Sequence, residues 1–136
     1  MDGALVLSEG IYEQIAEDIP RRKSKDTARQ IKSRVENKFK EADSPEQLFE
    51  NKIYQGYHKN LKQIRIGSWR IVAKEMPNFD LCEVVILFYI YEKGDEPSDQ
   101  TMEKICDGIG TLNNKFNAWD KSKQSAWLDE WYTELP

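Results

Sequence analysis

The order of apolar and polar positions predicts a short strand and two helices at the start of the chain. Ala4–Leu7 is apolar throughout and has the length of one short strand. Ile11–Ile19 is predicted to be helical, and Pro20 interrupts that pattern because proline removes a helix hydrogen bond. In the segment 25–42 the apolar residues recur at steps of three and four, which is typical of an amphipathic helix with a narrow apolar face. These residues are Ala28, Ile31, Val35, Phe39 and Ala42.

Three strands are predicted in the middle of the chain. Tyr54–Ile66 mixes polar and apolar residues, and Trp69–Lys74 follows it after two positions. Cys82–Tyr91 is apolar on both faces, as expected of a central strand that is covered on each side. Strands in this order, with short connections, predict an antiparallel meander.

The dipeptide Gly-Ser at 67–68 predicts a tight hairpin between the first two of these strands. Such a two-residue turn has a positive φ at its first position, which glycine adopts without strain. In this register Arg65 lies directly opposite Arg70, and like charges in that position destabilise a sheet. Either an anion relieves the repulsion, or each arginine pairs with an acid from a neighbouring element, such as Glu83. The neighbouring pairs would be Ile66 with Trp69 and Ile64 with Ile71.

Helices are predicted after the strands. Ser98 stands at the N-cap position of a helix that includes Met102, and Gly108 and Gly110 are predicted to end it. The tail, 111–136, predicts one or two further helices, whose aromatic residues favour a packing cluster. The apolar residues of this tail are Phe116, Trp119, Trp127, Leu128, Trp131 and Leu135.

Together these elements predict an α+β fold. Its antiparallel β-meander sheet would be packed by an N-terminal helix pair, with the helices gathered against one sheet face and additional C-terminal helices. Residues 1–97 would form the main unit, and residues 98–136 a helical extension packed on the same domain. At 136 residues the chain can bury a core without disulfides or metals.

Composition narrows the class of protein. No stretch approaches the roughly 20 apolar residues of a membrane span, and the N-terminus lacks the basic start of a signal peptide. Cys82 and Cys106 are predicted to be buried, reduced thiols of a cytoplasmic protein. With one histidine, His58, and no paired ligand spacing, we expect no metal site. We also expect no cofactor and no association with a membrane.

The net charge of −4 conceals a segregation of charge along the chain. Of the 20 lysines and arginines, 15 lie within 21–74, and no acid occurs between 52 and 74. The segment 75–136 holds 13 acids and five bases. A local basic surface can bind nucleic acid even in an acidic protein. Alternatively, the basic segments pair with the acidic flanks, and charge alone favours neither interpretation.

The motifs in the central segment resemble those of the RelE/ParE superfamily of toxins, in particular its RelE/HigB-like branch. The resemblance covers roughly 4–97 and includes LKQIRIGSWRIV and VVILFYIYEKGDEP. Gln63 stands where members typically carry an acid, and Glu92 interrupts their basic pair. The matching residues are Leu61, Ile64, Arg65, Ile66, Gly67, Trp69, Arg70, Tyr91, Lys93 and Pro97.

The resemblance implies a toxin-type, metal-independent endoribonuclease, an mRNA interferase that cleaves ribosome-bound mRNA and is neutralised by an antitoxin protein. In this chemistry a ribose 2′-OH attacks the adjacent phosphate, so cations must stabilise the phosphate oxygens and other groups must move protons. Arg65 and Arg70 would hold the phosphate, with Tyr91 as proton donor and Lys93 as a further phosphate ligand. The expected RNA-binding residues are Lys59, Lys62, Lys74, Arg29 and Lys32.

Two other interpretations stay open. The ParE-like branch uses the same fold to poison DNA gyrase, so the chain can be a catalytically inactive or ParE-like protein-binding module. Its arginines would then be paired internally, and its tryptophan-rich tail would contact the partner. The third interpretation is an α+β domain unrelated to toxins, whose hairpin matches by chance.

Overall fold

The computed structural model describes residues 3–54, 61–75, 83–124 and 126, and within these ranges the chain has the predicted α+β class. The elements are β1 (Gly3–Leu7), α1 (Glu9–Glu13), a π-helical turn (Gln14–Asp18), α2 (Ile19–Arg22), α3 (Lys25–Glu41), α4 (Pro45–Leu48), β2 (Glu50–Ile53), β3 (Lys62–Ile66), β4 (Trp69–Glu75), β5 (Glu83–Glu92) and α5 (Asp99–Ala118).

The strands form one five-stranded mixed sheet in the order β1-β5-β4-β3-β2. The antiparallel meander is confirmed for β3, β4 and β5. It is wrong for the sheet as a whole, because β1 lies parallel to β5 at the edge. Of the predicted strand Tyr54–Ile66, the described part is a strand only at Lys62–Ile66; Tyr54 and Leu61 lie outside the strands, and 55–60 lie outside the described residues. A separate strand, β2, precedes this segment and runs antiparallel to β3.

The hairpin between β3 and β4 has the predicted register. Ile66 lies opposite Trp69, Arg65 opposite Arg70, and Ile64 opposite Ile71. Gly67 has a φ of 58°, and among the described residues positive φ occurs only at glycines, so Ser68 has a negative φ. A positive φ followed by a negative one is the signature of a type II′ turn, whose twist matches that of the two strands.

Helices cover both faces of the sheet, so the prediction that they gather on one face is wrong. On the first face, the α3 face, the sheet packs against α1, α2 and α3; its buried residues include Ile64, Ile71, Leu87, Ile31 and Val35. On the opposite face, the α5 face, the sheet packs against α5; the buried residues there are Tyr54, Leu61, Val72, Tyr91, Met102 and Ile109. A β5 that is apolar on both faces requires this two-sided cover.

Helix α5 is longer than the sequence predicts. Ser98 caps it, since its hydroxyl accepts a hydrogen bond from the Thr101 amide at 3.1 Å. The helix then continues through Gly108 and Gly110 to Ala118. Glycine lowers helix stability without forbidding the conformation, and α5 gains its stability from packing on the sheet. The predicted cluster at Trp127, Leu128, Trp131 and Leu135 lies outside the described residues.

Beyond the end of β1, Ser8 and Gln14 form hydrogen bonds with the backbone of β5. The Ser8 amide donates to the Leu87 carbonyl at 2.9 Å. Three positions further along β5, the Gln14 amide nitrogen donates to the Ile90 carbonyl at 2.9 Å, and the Ile90 amide donates to the Gln14 side-chain oxygen at 3.0 Å. Gln14 thus satisfies both backbone groups of Ile90 as a neighbouring strand would. It does so from the start of the π-helical turn.

The predicted interruption at Pro20 does not end this helical segment. Pro20 lies in the first turn of α2, directly after the π-helical turn. The first turn of a helix tolerates proline because its amides have no partner within the helix. The start of a new helix at Ile19 therefore accommodates the proline without a break in the chain direction.

Candidate functional site

Three of the four predicted catalytic residues form a row across adjacent strands on the α5 face. Arg65 on β3 lies opposite Arg70 on β4, and Arg70 lies opposite Tyr91 on β5. Neighbouring strands are about 4.7–4.9 Å apart, so the three side chains start within about 10 Å of one another. The row lies next to the hairpin turn. We name Arg65, Arg70 and Tyr91 the cross-strand row.

Arg65 is the exposed member of this row. Its side chain makes no hydrogen bond or ion pair with another described residue, so its guanidinium can bind a ligand. Two cations of α3 lie nearby. Lys38 donates from Nζ to the Arg65 carbonyl oxygen at 2.8 Å. The Arg34 guanidinium lies so close to Gly67 that a Cβ on that residue would be 2.8 Å from it. The hairpin turn therefore lies in a cationic environment.

Arg70 is held inside its own hairpin. It is 7% exposed, and its Nη1 donates to the Gly67 carbonyl at 2.7 Å and to the Trp69 carbonyl at 2.9 Å. The partial negative charges of these two carbonyl oxygens stabilise the positive charge of Arg70 and offset part of its repulsion with Arg65. The predicted acid partner, Glu83, has a side chain that lies outside the described residues. Arg70 consequently has a structural function in the turn, whatever ligand its other nitrogens contact.

Tyr91 belongs to a cluster of polar side chains, which we name the tyrosine cluster: the buried Tyr54, Gln63 and Tyr91, and the exposed Glu96. The two tyrosine hydroxyls are 2.9 Å apart, and Gln63 donates to both from Nε2 at 3.1 Å. Burial raises the pKa of Tyr91 far above its usual 10.0, with Tyr54 and the Glu96 carboxylate adding to the effect. Burial also raises the pKa of Tyr54, against hydrogen bonds that lower it. Both tyrosines therefore keep their protons at neutral pH.

The raised pKa of Tyr91 predicts a loss of stability in alkali. Below pH 10 the hydroxyl is protonated in both states; above it the unfolded chain ionises first, so the free energy of unfolding falls. Between pH 9 and pH 11, the free energy of unfolding should therefore fall by about 1 kcal/mol less in the Tyr91→Phe protein than in the wild type. Urea unfolding at both pH values measures this difference. Tyr12→Phe is the control, since Tyr12 is 40% exposed. Parallel profiles for wild type and Tyr91→Phe would contradict the raised pKa.

Lys93, the fourth predicted catalytic residue, is exposed in the turn after β5, and its backbone amide donates to the Ser68 carbonyl at 2.8 Å. This bond places Lys93 beside the hairpin turn that carries the cross-strand row. Its side chain can therefore approach the same ligand as Arg65.

The structure describes four of the five predicted RNA-binding residues, and these four differ in position and exposure. Arg29 on α3 is exposed and pairs with Asp26 at 3.3 Å, and Lys32 is half-buried one turn later. Lys62 belongs to the α3 face, opposite to the cross-strand row, because it alternates with Gln63 and Arg65 along β3. Lys59 lies outside the described residues.

Lys74, the last of these residues, is only 2% exposed on β4, opposite Ile86. Burial lowers its pKa, and the neighbouring Glu75 partly counteracts that effect. In this position the side chain lies within the fold and offers no surface to RNA.

Sequence reasoning missed three of the groups around the row. Arg34 belongs to the basic helix but carries no motif that points to Gly67. Tyr54 and Glu96 lie 37 and five positions from Tyr91. The sequence gives only a weak indication that Tyr54 belongs to the site, namely a tyrosine that precedes a polar segment. Glu96 was recognisable only as an acid next to the matching Pro97.

The described residues contain no cluster of three or more histidine, cysteine, aspartate or glutamate side chains arranged to hold a metal ion. None of the helices in the described ranges combines the length and the apolar composition that crossing a bilayer requires. No protein-family model matches the chain, no curated protein matches it, and no solved structure matches it.

Proposed function

We propose that this protein is a toxin-type, metal-independent endoribonuclease of the RelE/ParE kind, which cleaves ribosome-bound mRNA in the cytoplasm and is neutralised by an antitoxin. The observation that supports it best is the cross-strand row, with an exposed Arg65 at one end and Tyr91 at the other. An arginine binds phosphate oxygens through its planar fork and stays charged at every relevant pH. The surrounding cations, Arg34, Lys38 and Lys93, favour an anionic ligand at this hairpin.

The proposed reaction uses these groups as follows. The ribose 2′-oxygen attacks the adjacent phosphorus, a 2′,3′-cyclic phosphate forms, and the bond to the 5′-oxygen breaks. Arg65 and Lys93 stabilise the charge on the phosphate oxygens. The exposed Glu96 carboxylate accepts the 2′-OH proton. Tyr91 gives its hydroxyl proton to the leaving 5′-oxygen, and the proton held by Glu96 then passes to Tyr91 through the hydrogen bond between them, so that both groups return to their starting state.

A protein-binding module is the second candidate function. It is favoured by the hydrogen bonds of Arg70 and of the tyrosine cluster, because these groups already have partners inside the protein. In this candidate the cationic hairpin contacts an acidic surface of DNA gyrase or of another protein, and no bond is cleaved.

The test is a cleavage assay on purified ribosomes stalled on a short mRNA with an empty A site. We expect the added protein to cut the mRNA within the A-site codon, as read by primer extension. The upstream fragment should carry a 2′,3′-cyclic phosphate and the downstream fragment a 5′-hydroxyl. Preincubation with a cognate antitoxin, where an adjacent gene encodes one, should prevent the cut. Growth arrest on expression with intact mRNA would overturn the nuclease and support the protein-binding module.

A further inference from the structure

A cavity of about 670 Å³ lies between α5, β5 and the edge strand β1. None of the residues of the cross-strand row or the tyrosine cluster lines it. Its volume is within the range of small-molecule sites, which is about 300–1,000 Å³. The wall is mainly apolar, and its apolar lining residues include Val6, Ile86, Phe88, Ile105, Leu112 and Trp119.

Gly108 opens the cavity on its α5 side. It lines the wall, and a Cβ added there would meet no heavy atom within 4 Å. Leu112 follows Gly108 after four residues and lies on the same side of α5, and Trp119 lies just beyond the end of the helix. The absence of a side chain at Gly108 therefore leaves a continuous apolar channel along this side of the helix.

Two lysines mark the ends of this channel. Lys104 and Lys115 both line the cavity and are exposed. They are 11 residues apart, which is about three helical turns or about 16 Å on the same side of α5. Neither forms an ion pair with a residue in the described part of the chain. Glu9 also lines the cavity, so the rim carries two positive charges against one negative charge.

We propose that this cavity binds the anion of a straight-chain fatty acid. The apolar chain would lie along the channel past Gly108, where each buried methylene adds to the affinity. The carboxylate would lie at one end, on an ammonium that has no partner in the described residues. The two lysines on the rim favour an anionic head group, and the apolar wall favours a hydrocarbon chain. This inference is independent of the nuclease.

Isothermal titration calorimetry of the full chain with dodecanoate, below its micellar concentration, tests the proposal. We expect binding of one dodecanoate per chain, and decanoate should bind about four-fold more weakly for each methylene that it lacks. Dodecyltrimethylammonium, with the same chain and a positive head, should bind at least about ten-fold more weakly. No heat with dodecanoate, or equal affinity for the two head groups, would overturn the proposal.

Matched variants locate the site. Gly108→Phe fills the channel and should weaken dodecanoate binding at least about ten-fold. Gly110→Phe is its control, because Gly110 lies on the same helix, has equal space for a Cβ and does not line the cavity. The double variant Lys104→Met and Lys115→Met, which keeps the apolar stems, should weaken dodecanoate binding about five-fold and leave dodecanol binding unchanged. Equal dodecanoate affinity in the Gly108 and Gly110 variants, at equal melting temperature, would contradict the assignment.

Discussion

The Arg65→Gln protein is expected to cleave ribosome-bound mRNA about 10²–10³-fold more slowly than the wild type, with an unchanged melting temperature. The loss in rate follows from removing one donor that stabilises developing charge on the phosphate. The unchanged stability follows from the exposure of Arg65, whose side chain contacts no other described residue through a hydrogen bond or ion pair. Arg65→Lys should recover part of the rate, because it keeps the charge and loses the planar fork.

Arg70 provides the contrast within the same row. Arg70→Gln should lower the rate and also cost about 1–3 kcal/mol of stability, because two carbonyl oxygens of the turn lose their donor. Arg22→Gln, at an exposed arginine at the end of α2, is the control for a general loss of positive charge. A stably folded Arg65→Gln protein that cleaves at the wild-type rate would remove Arg65 from the proposed site.

Gln14→Leu is expected to destabilise the protein by about 2–5 kcal/mol. The leucine fills a similar volume, but the amide and the carbonyl of Ile90 both lose their partner. A buried backbone group without a partner costs about 1–3 kcal/mol, and here there are two. Since domains of this size are stable by about 5–15 kcal/mol, the loss is a large fraction of the total. Urea unfolding measures it, and hydrogen exchange at the Ile90 amide should accelerate.

Two further variants separate the hydrogen bonds from the packing. Gln30→Leu, at an exposed position of α3, should change the stability by no more than about 0.5 kcal/mol. Gln14→Glu keeps an acceptor for the Ile90 amide but places a carboxylate oxygen against the Ile90 carbonyl, so it should also destabilise. A Gln14→Leu protein as stable as the Gln30→Leu protein would show that water replaces the lost partner.

The parts of the fold that depend on neighbouring residues were predictable from the sequence. The β3–β4 hairpin follows from a glycine that adopts positive φ, and α3 follows from the spacing of Ile31, Val35 and Phe39. The partner of β1 was not predictable, because an apolar run identifies a strand without naming its neighbour. The presence of helices on both faces of the sheet could have been predicted, because β5 is apolar on both faces and requires cover on each.

The candidate site, like the fold, was predictable from the sequence only in part. The register of the hairpin, which places Arg65 opposite Arg70, was predictable from one turn. The position of Tyr91 opposite Arg70 was not, because it depends on the pairing of β4 with β5. The bonds that Arg70 makes were not, because they depend on the conformation of its side chain around its own turn. The tyrosine cluster also needed the fold, since it joins Tyr54 to Tyr91 across 37 positions.

The parallel pairing of β1 with β5 also determines when the fold can be completed. Gly3 pairs with Glu83 and Leu7 with Leu87, so β1 pairs with a strand that is made 80 residues later. At about 5–20 residues per second, synthesis separates the two by roughly 4–16 s, whereas a β-hairpin forms within about 1–10 μs. We therefore expect the β3–β4 hairpin to form first and the nascent β1 to wait with its backbone unpaired. During that interval the unpaired backbone of β1 is open to chaperones and to association with another copy.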